Sequence, residues 1–189
     1  MKSFIISIAG GSGSGKTTLA LALKRSLGRK ASVFSLDNYQ RFGRKLSVID
    51  GIKNWDHPSA VNWEKFVADL KALKNGKAIT TTHRDQANLK FPRKIVFKPN
   101  QIIITEGYLL FHPLSVRKLL DFLIFTSAKE KTRVSRRRKF KNDKYTKKVL
   151  LPMHRKYIEP TKQYADVVID TEKLSLTECV NLVRKRLKI

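Results

Sequence analysis

An α/β fold, with a parallel sheet carrying helices on both faces, is predicted by three observations. Segments of strand character alternate with segments of helical periodicity along the whole chain. The apolar runs Ser3 to Ala9 and Gln101 to Thr105 are nearly continuous, as strands buried on both faces require. A glycine-rich stretch separates the first of these runs from the first helical segment. The elements follow in order. Ser3 to Ala9 reads as a central strand. From Thr17 the pattern turns helical, with Leu19, Leu23 and Leu27 on one face and Gly28 as a stop. Ala31 to Leu36 is a second strand, ending at Asp37. Residues 38 to 59 carry Gly43, Gly51 and Pro58 and read as irregular loop. A helix is expected over Ala60 to Lys74, with Trp63, Phe66, Val67 and Leu70 facing inward and Asn75-Gly76 closing it. Lys77 to Lys98 suggests one or two short strands broken by Pro92. Gln101 to Thr105 is a buried strand running into Glu106-Gly107, followed by a helix over Pro113 to Leu120 and a strand over Phe122 to Thr126. A basic helical stretch at 129 to 148, a helix at about 150 to 164, a strand at Val167 to Ile169 and a helix at Leu176 to Leu187 complete the pattern. No repeat or linker interrupts it, so residues 1–189 are expected to form a single domain, with the basic stretch at about 129–148 as a lid.

Composition narrows the function classes. The chain has 189 residues, 41% of them apolar, which is too high and too evenly spread for a disordered chain. No apolar run approaches the ~18 residues of a membrane helix, and Phe4 to Ala9 is too short for the core of a signal peptide. The single cysteine, Cys179, cannot form an intramolecular disulfide, which points to a reducing, cytoplasmic setting. Forty Lys and Arg against fifteen Asp and Glu give a net charge of +25. Such a field draws polyanions, so nucleic acid is expected as a non-specific partner only, and no membrane partner is expected.

The strongest chemical signal is Gly10-Gly11-Ser12-Gly13-Ser14-Gly15-Lys16-Thr17, which fits G-x-x-x-x-G-K-[ST] between a strand and a helix. Glycines there let backbone N–H groups surround a phosphate, and the helix start adds unpaired donors and partial positive charge. Lys16 supplies a point charge to the β- and γ-phosphates, and the Thr17 hydroxyl can ligate Mg²⁺. The fold class is accordingly that of a P-loop NTPase, binding ATP through residues 10 to 17 and Thr18.

The acids sort the chemistry further. Ligands of open α/β sheets sit beyond the carboxyl ends of the strands, and Asp37 and Glu106 each end a strand. Glu106 is placed to hold Mg²⁺ directly or through water, with Asp37 as a further candidate. Asp37 is also placed to take the proton from an acceptor hydroxyl. The competing reading for both is an ordinary turn or cap acid. The N-K-x-D segment of guanine readers is absent, which favours a kinase of small molecules over a GTPase. Residues 129 to 156 hold thirteen Lys or Arg and two acids, Glu130 and Asp143. Arg133, Arg136 and Arg137 share a helical face by spacing. Arg137 is the leading candidate for stabilising charge on the transferring phosphoryl group.

With those residues in hand, the chain resembles the uridine kinase and phosphoribulokinase-type family of P-loop kinases over nearly its whole length. Ser35-Leu36-Asp37-Asn38-Tyr39 looks like the family's S-x-D-x-[FY], which makes Asp37 the catalytic base. Asn54-Trp55-Asp56-His57-Pro58 looks like N-[FW]-D-H-P, whose Asp contacts the ribose hydroxyls, so Asp56 inherits that role. Glu106 to Phe111 resembles E-G-[IY]-L-[LA]-F, with Glu106 near Mg²⁺, and Pro152 to Asp166 resembles the segment that follows the lid. Two departures stand at the acceptor pocket. The family's P-x-Y-D-F matches Thr82-His83-Arg84-Asp85-Gln86, with Arg84 where the base-stacking Tyr would be and His83 near the pocket histidine. The lid stretch Lys139 to Lys144 is shorter than the family's and lacks its R-D-x-x-E-R-G-R pattern. The resemblance implies a Mg²⁺- and ATP-dependent kinase acting on the 5′-hydroxyl of a ribonucleoside such as uridine or cytidine, often assembled as an oligomer. Nicotinamide riboside, pantothenate and other small hydroxyl acceptors remain open, and a nucleic-acid-associated NTPase is the reading from another class.

Overall fold

The computed structural model describes residues 2–41, 46–83, 93–137 and 143–188. β1 (Phe4–Gly10) leads through the glycine loop into α1 (Lys16–Leu27), then β2 (Ala31–Ser35) and a 3₁₀ turn at Leu36–Tyr39. A small hairpin, β3 (Val48–Ile49) and β4 (Ile52–Lys53), precedes α2 (Trp63–Lys74). A second hairpin pairs β5 (Ile79–His83) with β6 (Arg93–Phe97). Then come β7 (Ile102–Glu106), α3 (Leu114–Arg117), β8 (Phe122–Ser127) and α4 (Glu130–Arg136). α5 (Asp143–Tyr145), α6 (Leu151–Met153), β9 (Val167–Asp170) and α7 (Leu176–Leu187) finish the chain.

The main sheet runs β2-β7-β1-β8-β9 in space, and every pair in it is parallel. Parallel strands need crossovers, so helices cover both faces. On one face α1 and α7 bury Leu19, Leu23, Cys179 and Val183 against Ile6, Ile8, Ile104 and Ile169. On the other, Phe66 and Leu70 of α2, with Phe111 and Ile158, pack on Ile5, Phe34 and Phe125. The Phe34 and Phe66 rings stack at 5.7 Å, and Tyr39 meets Phe66 edge-on at 5.1 Å. The strands' carboxyl ends carry the glycine loop after β1, the turn after β2 and Glu106 at the end of β7, all on one rim of the sheet.

Several boundaries differ from expectation for identifiable reasons. The helix expected from Ala60 begins at Trp63, because Pro58–Ala60 forms a 3₁₀ turn and the Asn62 side chain caps α2 by accepting from the Lys65 N–H at 3.3 Å. The loop at 38 to 59 contains β3 and β4, turned by Asp50 and Gly51 at φ values of 49° and 76°. Positive φ at both central residues is what a tight hairpin demands. The helix expected over Pro113 to Leu120 shrinks to four residues, α3. The two helices expected on either side of residue 149 are instead one continuous helical run from Asp143 that closes in a 3₁₀ stretch at Glu159–Tyr164, where the second was expected to end. It widens into π-helix at Thr146–Leu150 and again at His154–Ile158. Each widened stretch ends two residues before a proline, Pro152 or Pro160, whose missing N–H breaks the regular ladder.

Candidate active site

The glycine loop is bedded on the lid helix. Gly13 sits at φ +82°, and a Cβ there would collide with the backbone carbonyl of Arg133. A Cβ on Gly11 would strike the Arg133 guanidinium and, at 2.8 Å, the His154 ring. Only hydrogen fits at Gly13, whereas a side chain at Gly11 would force the Arg133 and His154 side chains to shift. Ser14 Oγ pairs with Thr126 Oγ1 at 2.7 Å, and the Ser14 N–H donates to the Gly11 carbonyl, which fixes the loop's curl. Gly15 precedes α1 with no side-chain cap, so the first N–H groups of a twelve-residue helix open toward the loop. Lys16 Nζ donates to the Gly11 carbonyl at 3.0 Å. Burial pulls its ammonium below the usual lysine range, while Glu106 and Asp37 oppose that shift.

Register delivers the acids. Ser35 of β2 and Glu106 of β7 are paired across the sheet, and Ser35 Oγ donates to Glu106 Oε1 at 2.6 Å. Thr17 Oγ1 donates to the other carboxylate oxygen, Oε2, at 3.1 Å. Glu106 is 4% exposed, so it is held where Thr17 opens α1. Asp37 lies in the 3₁₀ turn two residues beyond β2 and lines the same cleft of about 880 Å³ as Lys16, Thr17 and Glu106. The set is all oxygen, which suits a hard cation that keeps much of its water shell. Among the described residues no group of three or more His, Cys, Asp or Glu is poised for a metal. A cation here would therefore rest on one or two carboxylates, the Thr17 hydroxyl and the oxygens of a bound phosphate.

The same cleft is also lined by Asp56, Trp55, Tyr108, Tyr145, Leu150 and Gln40. The segment holding Asp56 is pinned to the helical run 143–158 by hydrogen bonds of Asn54, Asp56 and His57, and the Trp55 backbone also bonds to Tyr145. Asn54 Nδ2 donates to Met153 Sδ at 3.3 Å, Tyr145 O–H donates to Asp56 Oδ2 at 2.5 Å, and His57 Nε2 pairs with Tyr157 Oη at 3.2 Å. Tyr108 O–H donates to the Trp55 carbonyl at 2.7 Å, tying the segment to the residues after β7. Burial raises the Asp56 carboxyl above the usual carboxylate range, opposed by the Tyr145 hydrogen bond and the charges of Arg137 and Lys16.

The three arginines expected on one lid face divide. Arg133 is 5% exposed and lies behind the glycine loop, so it is a wall of the loop and not a mobile cation. Arg136 donates to the Thr171 hydroxyl and carbonyl at 2.8 and 3.0 Å. Arg137, at the end of α4, lines the cleft, and its Nη1 is buried without a hydrogen-bond partner among the described residues, as are Arg133 Nη1 and His154 Nδ1. Orphaned guanidinium donors around a glycine loop fit an anion that would complete them.

The structure thus gathers Lys16, Thr17, Asp37, Asp56, Glu106 and Arg137 around one cleft. Arg84 and the His83 side chain lie outside what the structure describes. The cleft-lining tyrosines Tyr108 and Tyr145, and His154, were not among the expected site residues. Tyr108 had a local signal, following Glu106-Gly107. Tyr145 had none, since it meets Asp56 across 89 residues.

The model of the phosphoribulokinase / uridine kinase family matches residues 5–178. A uridine kinase of Halobacterium salinarum is 32% identical, with 98% of this chain and 87% of that one covered. A uridine kinase of Macrococcus caseolyticus is 35% identical, with 89% and 88% covered. A solved structure described as a possible uridine kinase from Bacillus stearothermophilus superposes with a TM-score of 0.67 at 21% identity, covering 90% of each chain. A shikimate kinase from Acinetobacter baumannii superposes at 0.57 and 13% identity, covering 98% of this chain and 94% of that one. At those identities the likeness shows the fold, that of P-loop kinases.

Proposed function

Because this chain belongs to the phosphoribulokinase / uridine kinase family and is a phosphotransferase acting on a hydroxyl, we propose that it moves the γ-phosphate of ATP to the 5′-hydroxyl of a ribonucleoside such as uridine or cytidine. One observation carries the reading. A single cleft is lined by Ser12, Gly13 and Lys16 of the glycine loop together with Asp37, Asp56 and Glu106.

Phosphoryl transfer needs mainly positioning and charge neutralisation. The N–H groups of residues 11 to 17 cradle the β-phosphate, and Lys16 leaves the Gly11 carbonyl to meet the β- and γ-phosphates. Asp56 accepts hydrogen bonds from ribose hydroxyls and so aims the 5′-hydroxyl at the γ-phosphate. Asp37 takes the proton that the hydroxyl sheds as the new O–P bond forms. Arg137 donates to the equatorial oxygens, where charge accumulates. Thr17 and Glu106, with Asp37 nearby, would hold magnesium, which when bound would supply further neutralisation of phosphate charge.

The test is coupled ADP release against a panel of nucleosides, nicotinamide riboside, pantothenate and other small alcohols. Pyrimidine ribonucleosides are expected to give the highest kcat/KM. Asp37→Asn should lower kcat by roughly 10²- to 10⁴-fold, the usual span for a general base, with ATP affinity retained. Near-normal turnover in that variant would remove Asp37 from its role. ATP turnover stimulated by RNA, with no small alcohol phosphorylated, would overturn the kinase reading.

A further inference from the structure

The hydrogen bond between Tyr145 and Asp56 joins two residues that nothing in the chain's local order brings together. Tyr145 stands at the end of α5, on the lid side of the cleft, while Asp56 lies in the turn after β4. Both side chains are withdrawn from solvent, and both line the cleft. The phenol approaches Oδ2 at 2.5 Å. Among the described residues this is the only hydrogen bond to that carboxylate, since the Asp56 backbone N–H goes to Asn54 Oδ1 and fixes only the main chain.

A carboxylate offers about four lone-pair sites, and a phenol fills one of them with a single donated hydrogen. An arginine or lysine in the same place would form an ion pair and compete for both oxygens. A phenol orients the group, leaves its charge in place, and keeps Oδ1 and part of Oδ2 available to two neighbouring donors. Adjacent hydroxyls on a five-membered sugar are such a pair of donors. A carboxylate free to rotate would lose that match, because hydrogen bonds weaken steeply off axis.

We infer that Tyr145 is a positioning residue for the acceptor: its phenol fixes the rotation of Asp56 so that the carboxylate reads a vicinal diol, and it thereby sets the preference for ribo- over deoxyribo-acceptors. This rests on the nucleoside kinase reading and deepens it, adding a residue from the lid side to the machinery that selects the acceptor.

The experiment compares wild type, Tyr145→Phe and Asp56→Asn. Calorimetry measures binding of uridine, 2′-deoxyuridine and 3′-deoxyuridine, and steady-state kinetics are run in parallel. Wild type is expected to favour uridine over both deoxy analogues. Tyr145→Phe keeps the buried ring and loses only the hydroxyl, so its melting temperature serves to confirm folding. It should weaken uridine binding by about 10- to 100-fold, the range for a hydrogen bond to a charged group. The preference over the deoxy analogues should shrink by a similar factor. The loss should fall on the KM for acceptor more than on kcat, and the KM for ATP should hold. Asp56→Asn should abolish the preference. A Tyr145→Phe protein that discriminates as wild type does, or a wild type that does not discriminate, overturns the assignment. Diol-dependent binding that Tyr145→Phe loses, with no phosphorylation of any nucleoside, would uphold the assignment and overturn the kinase reading. Phosphorylation of an acceptor lacking a diol, with nucleosides unbound, would overturn both the assignment and the nucleoside as acceptor, leaving phosphoryl transfer itself standing.

Discussion

His154 illustrates how a single side chain links the fold to its pH range. It is 7% exposed, its Nε2 pairs with Glu159 at 3.1 Å, and its Nδ1 faces Gly11 without a partner among the described residues. Burial, with the charges of Arg133 and Lys16, pulls its pKa down to about 4, and Glu159 opposes this only in part. An unfolded histidine titrates near 6.5, so between those values the unfolded chain binds the extra proton. Stability from this group is therefore complete above about pH 6.5 and declines as pH falls toward about 4. Melting temperatures of wild type and His154→Gln across that window should converge toward the acid side, because only wild type carries the penalty of charging a buried ring. Parallel curves would show that His154 is not buried in its neutral form. Lys16, Thr17 and Glu106 were readable at this scale, two from a contiguous motif and one from its place at a strand end. Tyr145 and His154 were not, since nothing in their neighbours in sequence marks them as neighbours of Asp56 and Gly11.

Elements decide whether the glycine loop can exist at all. α4 passes so close behind it that the Arg133 carbonyl fills the space a Gly13 side chain would need. Gly13→Ala is expected to displace the loop and weaken nucleotide binding by roughly tenfold or more, a change of ~1.4 kcal/mol. Gly28→Ala provides the comparison: its φ is +61°, yet nothing lies within 4 Å of its Cβ. That change should cost stability of about 1–2 kcal/mol and leave nucleotide affinity alone, as nucleotide titration and thermal melts would report. The helical run from Asp143 to Ile158 shows the limit of periodicity. Its apolar spacing predicts helix but not the widening before Pro152 and Pro160, nor the contacts that Tyr145, Met153 and Tyr157 make with the Asn54-to-His57 segment.

The chain carries a net charge of +25, and part of it among the described residues sits at helix ends away from the cleft. Lys24 and Arg25 end α1, and Arg184, Lys185 and Arg186 end α7, all exposed. Cations there complement the helix dipoles, and Arg184 also donates to Ser26 Oγ at 3.3 Å. Single-stranded RNA should accordingly bind weakly, without sequence preference, and with affinity that drops linearly in log–log against salt at about 0.7 per phosphate neutralised. Fluorescence anisotropy at several ionic strengths checks this, and a tight complex persisting at high salt would contradict it. Among the described residues no helix is long and apolar enough to cross a membrane.

The alternation of apolar runs and helical stretches specified a parallel sheet, and strand, loop and helix in order specified a phosphate site at its rim. Both are properties of neighbouring residues, where a few spacings carry the constraint. The surroundings of Asp56 came only from tertiary packing. Asp56 gains its partner from a helix 89 residues away. Contacts of that kind come from how finished elements pack against one another, a geometry that local periodicity does not encode.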